Sequence, residues 1–526
     1  MSESAADPHA DWKPAGNPWL IAVAVTIATF MEVLDTTIVN VALPHIAGSL
    51  SASSEEATWA LTSYLVANGI VLTISGWLGD LLGRKRYFVI CIAMFTVFSF
   101  LCGIADSLGQ LIAFRLAQGF FGGGMQPNQQ SIILDTFPPA RRGAAFGVAA
   151  MATIVAPVLG PTLGGFITDQ SSWRWIFFLN VPVGVIAVFL VIALVEDPPW
   201  VKERKSRGID LIGLSLIAIG LGSLEVMMDR GQDEDWFGSP FIQLMALLAF
   251  LGILGAIFWL AVARRPIVHL AVFKDRNFAV GCVMIAATGG ILYASAVMIP
   301  QLAQQYLNYT ATWSGLILSP GGLMVIVLIP IVGRLMKLTA TRNLIALGFT
   351  IMGFSMFYSS HLAANINFGA LVGMRLFQTA ALAFLFVPIS TVAYMTLPRD
   401  LNPDGVALFS MFRNVFGSIG IAASTAFVTQ RSQIHQTYLT EMATPLRQPF
   451  NDLLAHYAAS LQAMGHSAAA AQDMAAGAIY RMIRTQAAIM SYSDAFIACG
   501  IVAFLVVPFC FLMSGRRAAG GPGAAH

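Results

Sequence analysis

Apolar residues in this chain gather into long unbroken runs separated by short polar breaks, and they show neither strand-like alternation nor one-sided amphipathic striping. Runs of about 20 apolar residues cross a bilayer as helices. Fourteen such runs lie near 18–40, 58–78, 87–105, 109–133, 143–166, 174–195, 209–228, 241–262, 278–300, 313–335, 343–361, 369–396, 405–429 and 494–514. The pattern predicts an all-α integral membrane protein with fourteen transmembrane helices. Residues 1–16 and 515–526 read as polar tails. The first run has no convincing cleavage site after it and is expected to stay as a helix.

Most breaks are short, and one is long. Residues 430–493 are mostly polar or Ala-rich, with helical spacing in 468–490. Loops of that length are usually functional or disordered, and this one is expected outside the membrane as a docking surface.

Composition agrees with the membrane reading: 57% of the 526 residues are hydrophobic and only 11% charged, against about 25% charged in soluble domains. The net charge of +2 carries no signal for nucleic acid, and none is expected as a partner. The five cysteines (Cys91, Cys102, Cys282, Cys499, Cys510) fall in apolar runs without ligand spacing, so neither a disulfide framework nor a metal site is expected. Charge placement says more. With the N-terminus inside, one set of connections carries Arg84, Lys85, Arg86, Arg141, Arg142, Lys202, Arg204, Lys205, Arg207, Arg264 and Arg265, whereas the short opposite loops carry only Arg174 and Arg230. Cations accumulate on the cytoplasmic side, so both termini are expected in the cytoplasm.

Weak internal repetition divides the chain. Leu111-Ile-Ala-Phe-Arg-Leu-Ala-Gln118 recurs as Leu371-Val-Gly-Met-Arg-Leu-Phe-Gln378, Leu43-Pro44 as Ile299-Pro300, Trp59 as Trp313 and Gly143 as Gly405, all displaced by 254–262 residues. The near-constant displacement predicts two duplicated six-helix halves, 17–195 and 277–514. A charged linker, 196–208, and an inserted helix pair, 209–262, separate them.

Ionisable groups at membrane depth are costly and carry a functional expectation. Glu32 and Asp35 share a face of the first span. Asp35 sits about 8 Å below its helix end, and Arg115 lies at a similar depth in the fourth span. The two are natural partners, and protonating the carboxylate would break the pair and bias a conformational equilibrium. A permanent pair that only fixes helix packing is the alternative; which of Glu32 and Asp35 takes the proton stays open. Arg115, Gln118, Gly122, Met125 and Gln129 form one helical stripe, so Gln118, Met125 and Gln129 are candidates to line a substrate cavity, with Arg413 near mid-membrane. Arg375 repeats Arg115, but no acidic residue stands at the place of Asp35, leaving its partner open. Glu225 and Asp229 are four apart near an outer helix end, where solvation explains Asp229 better than Glu225.

Two further motifs concern movement. Gly76-Trp-Leu-Gly-Asp-Leu-Leu-Gly-Arg-Lys-Arg86 lies between two spans, and Gly76, Asp80, Gly83 and Arg84 form its glycine-punctuated charged frame. Asp80 is expected to latch onto the helix start near Asn402–Val406, and Arg84 to reach Asp135. Around Gly333–Lys337 the second-half counterpart has lost the acidic residue, so the gate is expected to be asymmetric. In Ala156-Pro-Val-Leu-Gly-Pro-Thr-Leu-Gly-Gly165, Pro157 and Pro161 each remove a backbone hydrogen bond, while Gly160, Gly164 and Gly165 permit close helix contact.

These stretches, together with Ala28–Pro44, Trp59–Tyr64, Trp173–Gly184, Asp229-Arg-Gly231 and Tyr309–Trp313, resemble the fourteen-helix drug:proton antiporters of the major facilitator superfamily over nearly the full length, and the EmrB type most closely. The Gly76–Arg86 loop is similar to that family's loop between helices 2 and 3, and the Gly-Pro-x-x-Gly-Gly core to its antiporter motif. The resemblance implies proton-driven efflux of hydrophobic toxic compounds from a bacterial inner membrane, without a cofactor. It also implies a periplasmic membrane-fusion adaptor and an outer-membrane channel as partners. Glu32 and Glu225 depart from the EmrB type, which expects uncharged polar residues there. A metabolite or siderophore exporter shares the same mechanism, and a nutrient symporter would not need the Pro-Gly bend. An intramembrane enzyme would need an acidic metal cluster or a nucleophile in a common site, and none is visible.

Overall fold

A computed structural model describes residues 14–514 apart from 15, 200–209, 233, 265, 364–365, 399–400 and 445. The expected linker 196–208 lies for the most part, and the tails 1–16 and 515–526 almost wholly, outside the described residues. The described residues form helices and no strands.

The first half runs α1 (Pro18–Ser49), α2 (Ser54–Leu82), α3 (Arg84–Gly103), α4 (Leu108–Gly122), α5 (Met125–Thr136), α6 (Pro139–Gln170), α7 (Arg174–Phe178) and α8 (Asn180–Leu194). The inserted pair is α9 (Leu211–Arg230) and α10 (Pro240–Val262). The second half comprises α11 (Arg276–Tyr306), α12 (Ala311–Leu338), α13 (Thr341–Ser359), α14 (Phe368–Ala393), α15 (Asn402–Met442), α16 (Gln448–Ala463) and α17 (Ala468–Cys510).

Local chemistry sets many of the helix starts. Asn17 accepts from the Trp19 amide ahead of Pro18 at the first turn of α1, and Ser53 with Glu56 builds a reciprocal capping box at α2. Thr310, Asn367 and Ser467 cap α12, α14 and α17. Such side chains satisfy amide groups that the first helical turn leaves without partners. Gly83, at φ +84°, turns the chain sharply between α2 and α3, a conformation that disfavours other residues.

Among the described residues eleven stretches are long and apolar enough to cross a membrane, and α6, bent by 42° beyond Pro157, makes a twelfth. The expected count of fourteen is therefore not reached by length and composition. Of the two remaining runs, 109–133 is broken at Gly123–Gly124 into α4 and α5. The other, 343–361, is α13, whose first turn carries Arg342 and Asn343. The break also corrects the expected continuous stripe from Arg115 to Gln129, which is divided between two helices. The Gly123 backbone can approach α2 so closely that a Cβ there would lie 3.1 Å from the Asn68 backbone carbon.

Residues 430–493 are helical almost throughout, which corrects their reading as a long loop. α15 continues to Met442, α16 follows, and α17 begins at Ala468, long before its apolar stretch. Arg431 and His435 of α15 both hold Asp494 of α17, at 2.7 and 2.8 Å. These contacts tie α15 to α17.

Large apolar side chains also cover the outside: Phe189 and Phe258 are 68% and 71% exposed, and Leu323 and Val327 are exposed as well. Water penalises such a surface and acyl chains accept it. The two halves meet along α2 against α15 and α6 against α12, with α9 lying against both α2 and α15.

Candidate functional site

The central feature is built on α1, α4 and α8. Asp35, fully buried, accepts from Arg115 Nη1 at 2.5 Å, from Asn180 Nδ2 at 2.8 Å and from Gln118 Nε2 at 3.2 Å. Arg115 also donates to Gln118 Oε1 at 2.8 Å and to the Ala60 carbonyl at 3.1 Å. Its guanidinium carbon lies 4.1 Å from the centre of the Tyr64 ring. Asn180 Nδ2 reaches Ser99 Oγ at 3.0 Å as well. The buried charges are thus paired and hydrogen-bonded, the condition under which such groups persist away from water.

Glu32, three residues earlier and also buried, belongs to a different network. Its carboxylate accepts from Asn68 Nδ2 at 3.0 Å, Tyr64 Oη at 3.3 Å and Gln126 Nε2 at 2.9 Å. Gln126 Oε1 in turn accepts from Arg413 of the second half. Gln126 therefore carries a hydrogen-bonded path across the interface between halves. Tyr64 joins the two networks, with its ring under Arg115 and its hydroxyl on Glu32.

Gln118 stands within the Asp35 network, and Met125 is wholly buried in the apolar core. Gln129 donates to Thr26 Oγ1 at 2.9 Å, while Arg413 also meets Asn414 Oδ1 at 3.2 Å. These four residues are not gathered around one common group. Asp229 accepts from Thr62 of α2, and Glu225 accepts from Ser418 of α15 at 2.8 Å. Asp229, half-buried in the last turn of α9, thus also touches the first half.

At the other end of the bundle Arg84 pairs with Asp135 and donates to the Ser131 carbonyl at 3.2 Å. Gly76 abuts the start of α15 so tightly that a Cβ there would lie 2.7 Å from the Pro403 carbonyl oxygen. Asp404 in that same turn accepts from His269 Nδ1 at 2.9 Å. Asp80 is half-buried one turn beyond Gly76. By contrast, a Cβ at Gly333 would find open space, so the two corresponding loops are packed differently.

The Pro-Gly segment of α6 touches both halves. A Cβ at Gly160 or Gly164 would fall 2.9 Å from Thr37 Cβ or Ile38 Cγ1 of α1, one turn from Asp35. Pro157 and Gly165 are buried and Pro161 half-buried. On the opposite side Thr162 Oγ1 lies 3.1 Å from Ser319 Oγ of α12.

Sequence reasoning missed Tyr64, Asn68, Gln126 and Asn180 as members of these networks. Tyr64 and Asn180 nevertheless fall inside two of the stretches that carried the resemblance. Gln126 and Asn68 gave no separate signal, because a buried amide in an apolar run is equally a packing residue.

Fold and site together define a membrane transport protein made of two packed halves. The chain belongs to the Major Facilitator Superfamily, whose model matches residues 25–421, and it is of the EmrB type. It is 36% identical over 509 residues to the multidrug export protein EmrB of Escherichia coli K12, covering 96% of this chain and 98% of that protein. It is 32% identical to the fatty acid resistance protein FarB of Neisseria gonorrhoeae, covering 97% and 99%. The fold is similar to that of a double-tryptophan mutant of XylE, with a TM-score of 0.58 at 13% identity over 95% of this chain and 97% of that one. Members of this superfamily are transporters rather than enzymes. Among the described residues no group of three or more His, Cys, Asp or Glu is arranged to hold a metal ion.

Proposed function

We propose that this chain is a proton-driven exporter of hydrophobic toxic compounds working by alternating access in a bacterial inner membrane, both termini in the cytoplasm. The buried Asp35–Arg115 pair carries the reading. Protonation of Asp35 removes the counter-charge that holds Arg115, and the freed guanidinium favours a different arrangement of α1 and α4. The movement reaches the second half by two routes: through Tyr64, Glu32 and Gln126 to Arg413, and through the α6 bend to α12. Glu32 is the second protonatable group, and Gln118, Met125, Gln129 and Arg413 remain the candidate cavity residues. The proton gradient supplies the energy and no cofactor takes part. Gly76, Asp80, Gly83, Arg84 and Asp135 hold the cytoplasmic door, while Pro157, Gly160, Pro161, Gly164 and Gly165 shape the outer seal.

A periplasmic membrane-fusion adaptor and an outer-membrane channel complete the pump, with the projection formed by α15, α16 and α17 as the docking surface. The names of the relatives support hydrophobic small molecules as cargo. A single metabolite or siderophore as cargo is the alternative, and a nutrient symporter is the less favoured one because it would not need the Pro-Gly bend of α6.

The test is proton-gradient-driven dye efflux in deletion cells, comparing wild type with Asp35→Asn and Arg115→Ala. Both variants are expected to lose active efflux. Preserved proton-coupled efflux in Asp35→Asn would overturn the coupling role.

A further inference from the structure

The second half contains the Asp35 site rebuilt without its carboxylate. Four side chains recur at one constant displacement of 260 residues: Asp35 as Ser295, Ser99 as Ser359, Arg115 as Arg375 and Gln118 as Gln378. Their geometry recurs too. Arg375 Nη1 donates to Gln378 Oε1 at 3.2 Å, as Arg115 does to Gln118, and to Ser295 Oγ at 3.1 Å where Arg115 meets Asp35. Gln378 Nε2 turns to Ser359 Oγ at 2.8 Å. Both hydroxyls spend their protons on backbone carbonyls, Ser295 on Leu292 and Ser359 on Ser355. They can only accept from the surrounding amide and guanidinium.

Arg375 is 1% exposed, and its Nε is buried with no hydrogen-bond partner. Among the described residues no carboxylate pairs with it and no aromatic ring covers it, whereas Arg115 has both. Arginine does not give up its proton in proteins. A desolvated cation held only by neutral acceptors is unfavourable unless an anion joins it.

We propose that Arg375, with Ser295 and Gln378, forms a site for one monovalent anion, which stands where the second half lacks a carboxylate. The bare Nε edge of the planar guanidinium suits a chloride ion or the carboxylate head of an amphiphilic cargo, since both present one negative charge to its N–H groups. The inference concerns binding and stands or falls separately from proton coupling.

The experiment follows thermal unfolding of the purified full-length protein in low-salt detergent buffer. One arm titrates sodium chloride, and the other compares laurate with uncharged dodecanol. The variants are Ser295→Asp, which restores an internal carboxylate, Ser295→Asn as its neutral counterpart, and Arg375→Gln. A saturable rise in Tm is expected in wild type and Ser295→Asn. In Ser295→Asp the apparent anion affinity should fall by about tenfold or more, with a higher Tm before any anion is added. A chloride response identifies a free ion, and a response to laurate but not dodecanol identifies a cargo head group. Either supports the site, and Arg375→Gln should then abolish it. Equal responses in wild type and Ser295→Asp in both arms, or no saturable response in wild type, would overturn it. Because Ser295→Asp keeps the cation and supplies its partner, a folding failure of Arg375→Gln leaves the test decisive.

Discussion

Asp35 is held by three donors on two helices, so its substitution acts on more than one bond. In Asp35→Asn the amide keeps roughly the carboxylate's shape but leaves Arg115 as a buried cation without a counter-charge. Removing one member of such a pair costs about 3–5 kcal/mol. Thermal unfolding of Asp35→Asn, Arg115→Ala and the double variant should therefore give a clearly non-additive cycle, with the double variant less destabilised than the sum. Additive losses would mean that the pair is energetically idle. Tyr64 offers a finer test. Tyr64→Phe keeps the ring beneath Arg115 and loses only the hydroxyl contact to Glu32, worth about 1 kcal/mol. Its efflux rate in proteoliposomes is expected to fall less than about tenfold by the same arithmetic. Tyr64→Leu also uncovers the guanidinium, and its rate should fall further than that of Tyr64→Phe. Equal rates in the two variants would remove the ring from the account.

Helices touch where glycine lets them, and the two glycine-rich motifs proposed as gates depend on that closeness. The Pro403 carbonyl lies where a Cβ at Gly76 would need to be. Gly76→Ala therefore forces α2 and α15 apart, and overpacking of this kind typically costs about 1–3 kcal/mol. Since Gln130 Nε2 of α5 reaches Ser410 Oγ of α15 at 3.4 Å, also between the halves, a cysteine at Ser410 reports the opening. Its labelling by a membrane-impermeant thiol reagent applied from the cytoplasmic face of inverted vesicles should rise in Gly76→Ala. Unchanged labelling would show that the seam does not depend on this contact. Bulk at Gly160 acts differently, because the clash is with Thr37 beside the Asp35 turn. Gly160→Val is expected to reach the membrane at normal levels and to lose more than about 90% of its efflux, by an estimate from the same overpacking range.

At the scale of the whole molecule, alternating access needs the halves to move relative to one another. The contact of Thr162 with Ser319 crosses from α6 to α12, and cysteines at both positions place their sulfurs within bridging reach. Oxidation of Thr162→Cys/Ser319→Cys should stop efflux and reduction should restore it; full activity of the oxidised protein would show that this seam stays shut throughout the cycle. The proposed docking role of α15, α16 and α17 invites an equally direct test. Photo-crosslinkers at Met442, Met464 and Tyr480, all exposed, are expected to capture the adaptor in an assembled pump. Absence of any such product from an assembled pump would remove the docking role.

Apolar run length and charge placement made the helical membrane architecture legible, because a spanning helix must satisfy its backbone internally and cover its length with apolar side chains. The family and the Asp35–Arg115 pairing were legible for a related reason: charges at membrane depth are rare and need partners. Helix breaks and extensions were less so. The glycines that divide α4 from α5 resemble ordinary packing glycines in sequence. The 430–493 segment reads as a loop because much of it is polar or Ala-rich and lacks a long apolar run.

By itself the sequence determined that the chain is a helical membrane protein of this transporter family and which two charges face one another. These follow from solvation costs that each residue meets locally, whatever its distant neighbours are. Only the tertiary structure decided that Glu32 and Asp35 enter separate networks joined by Tyr64, and that Gln126 hands the first onward to Arg413. It also decided that Arg375 ends on Ser295, with no acid beside it among the described residues. Those outcomes depend on which helix faces meet and at what depth, a choice made by packing between segments hundreds of residues apart.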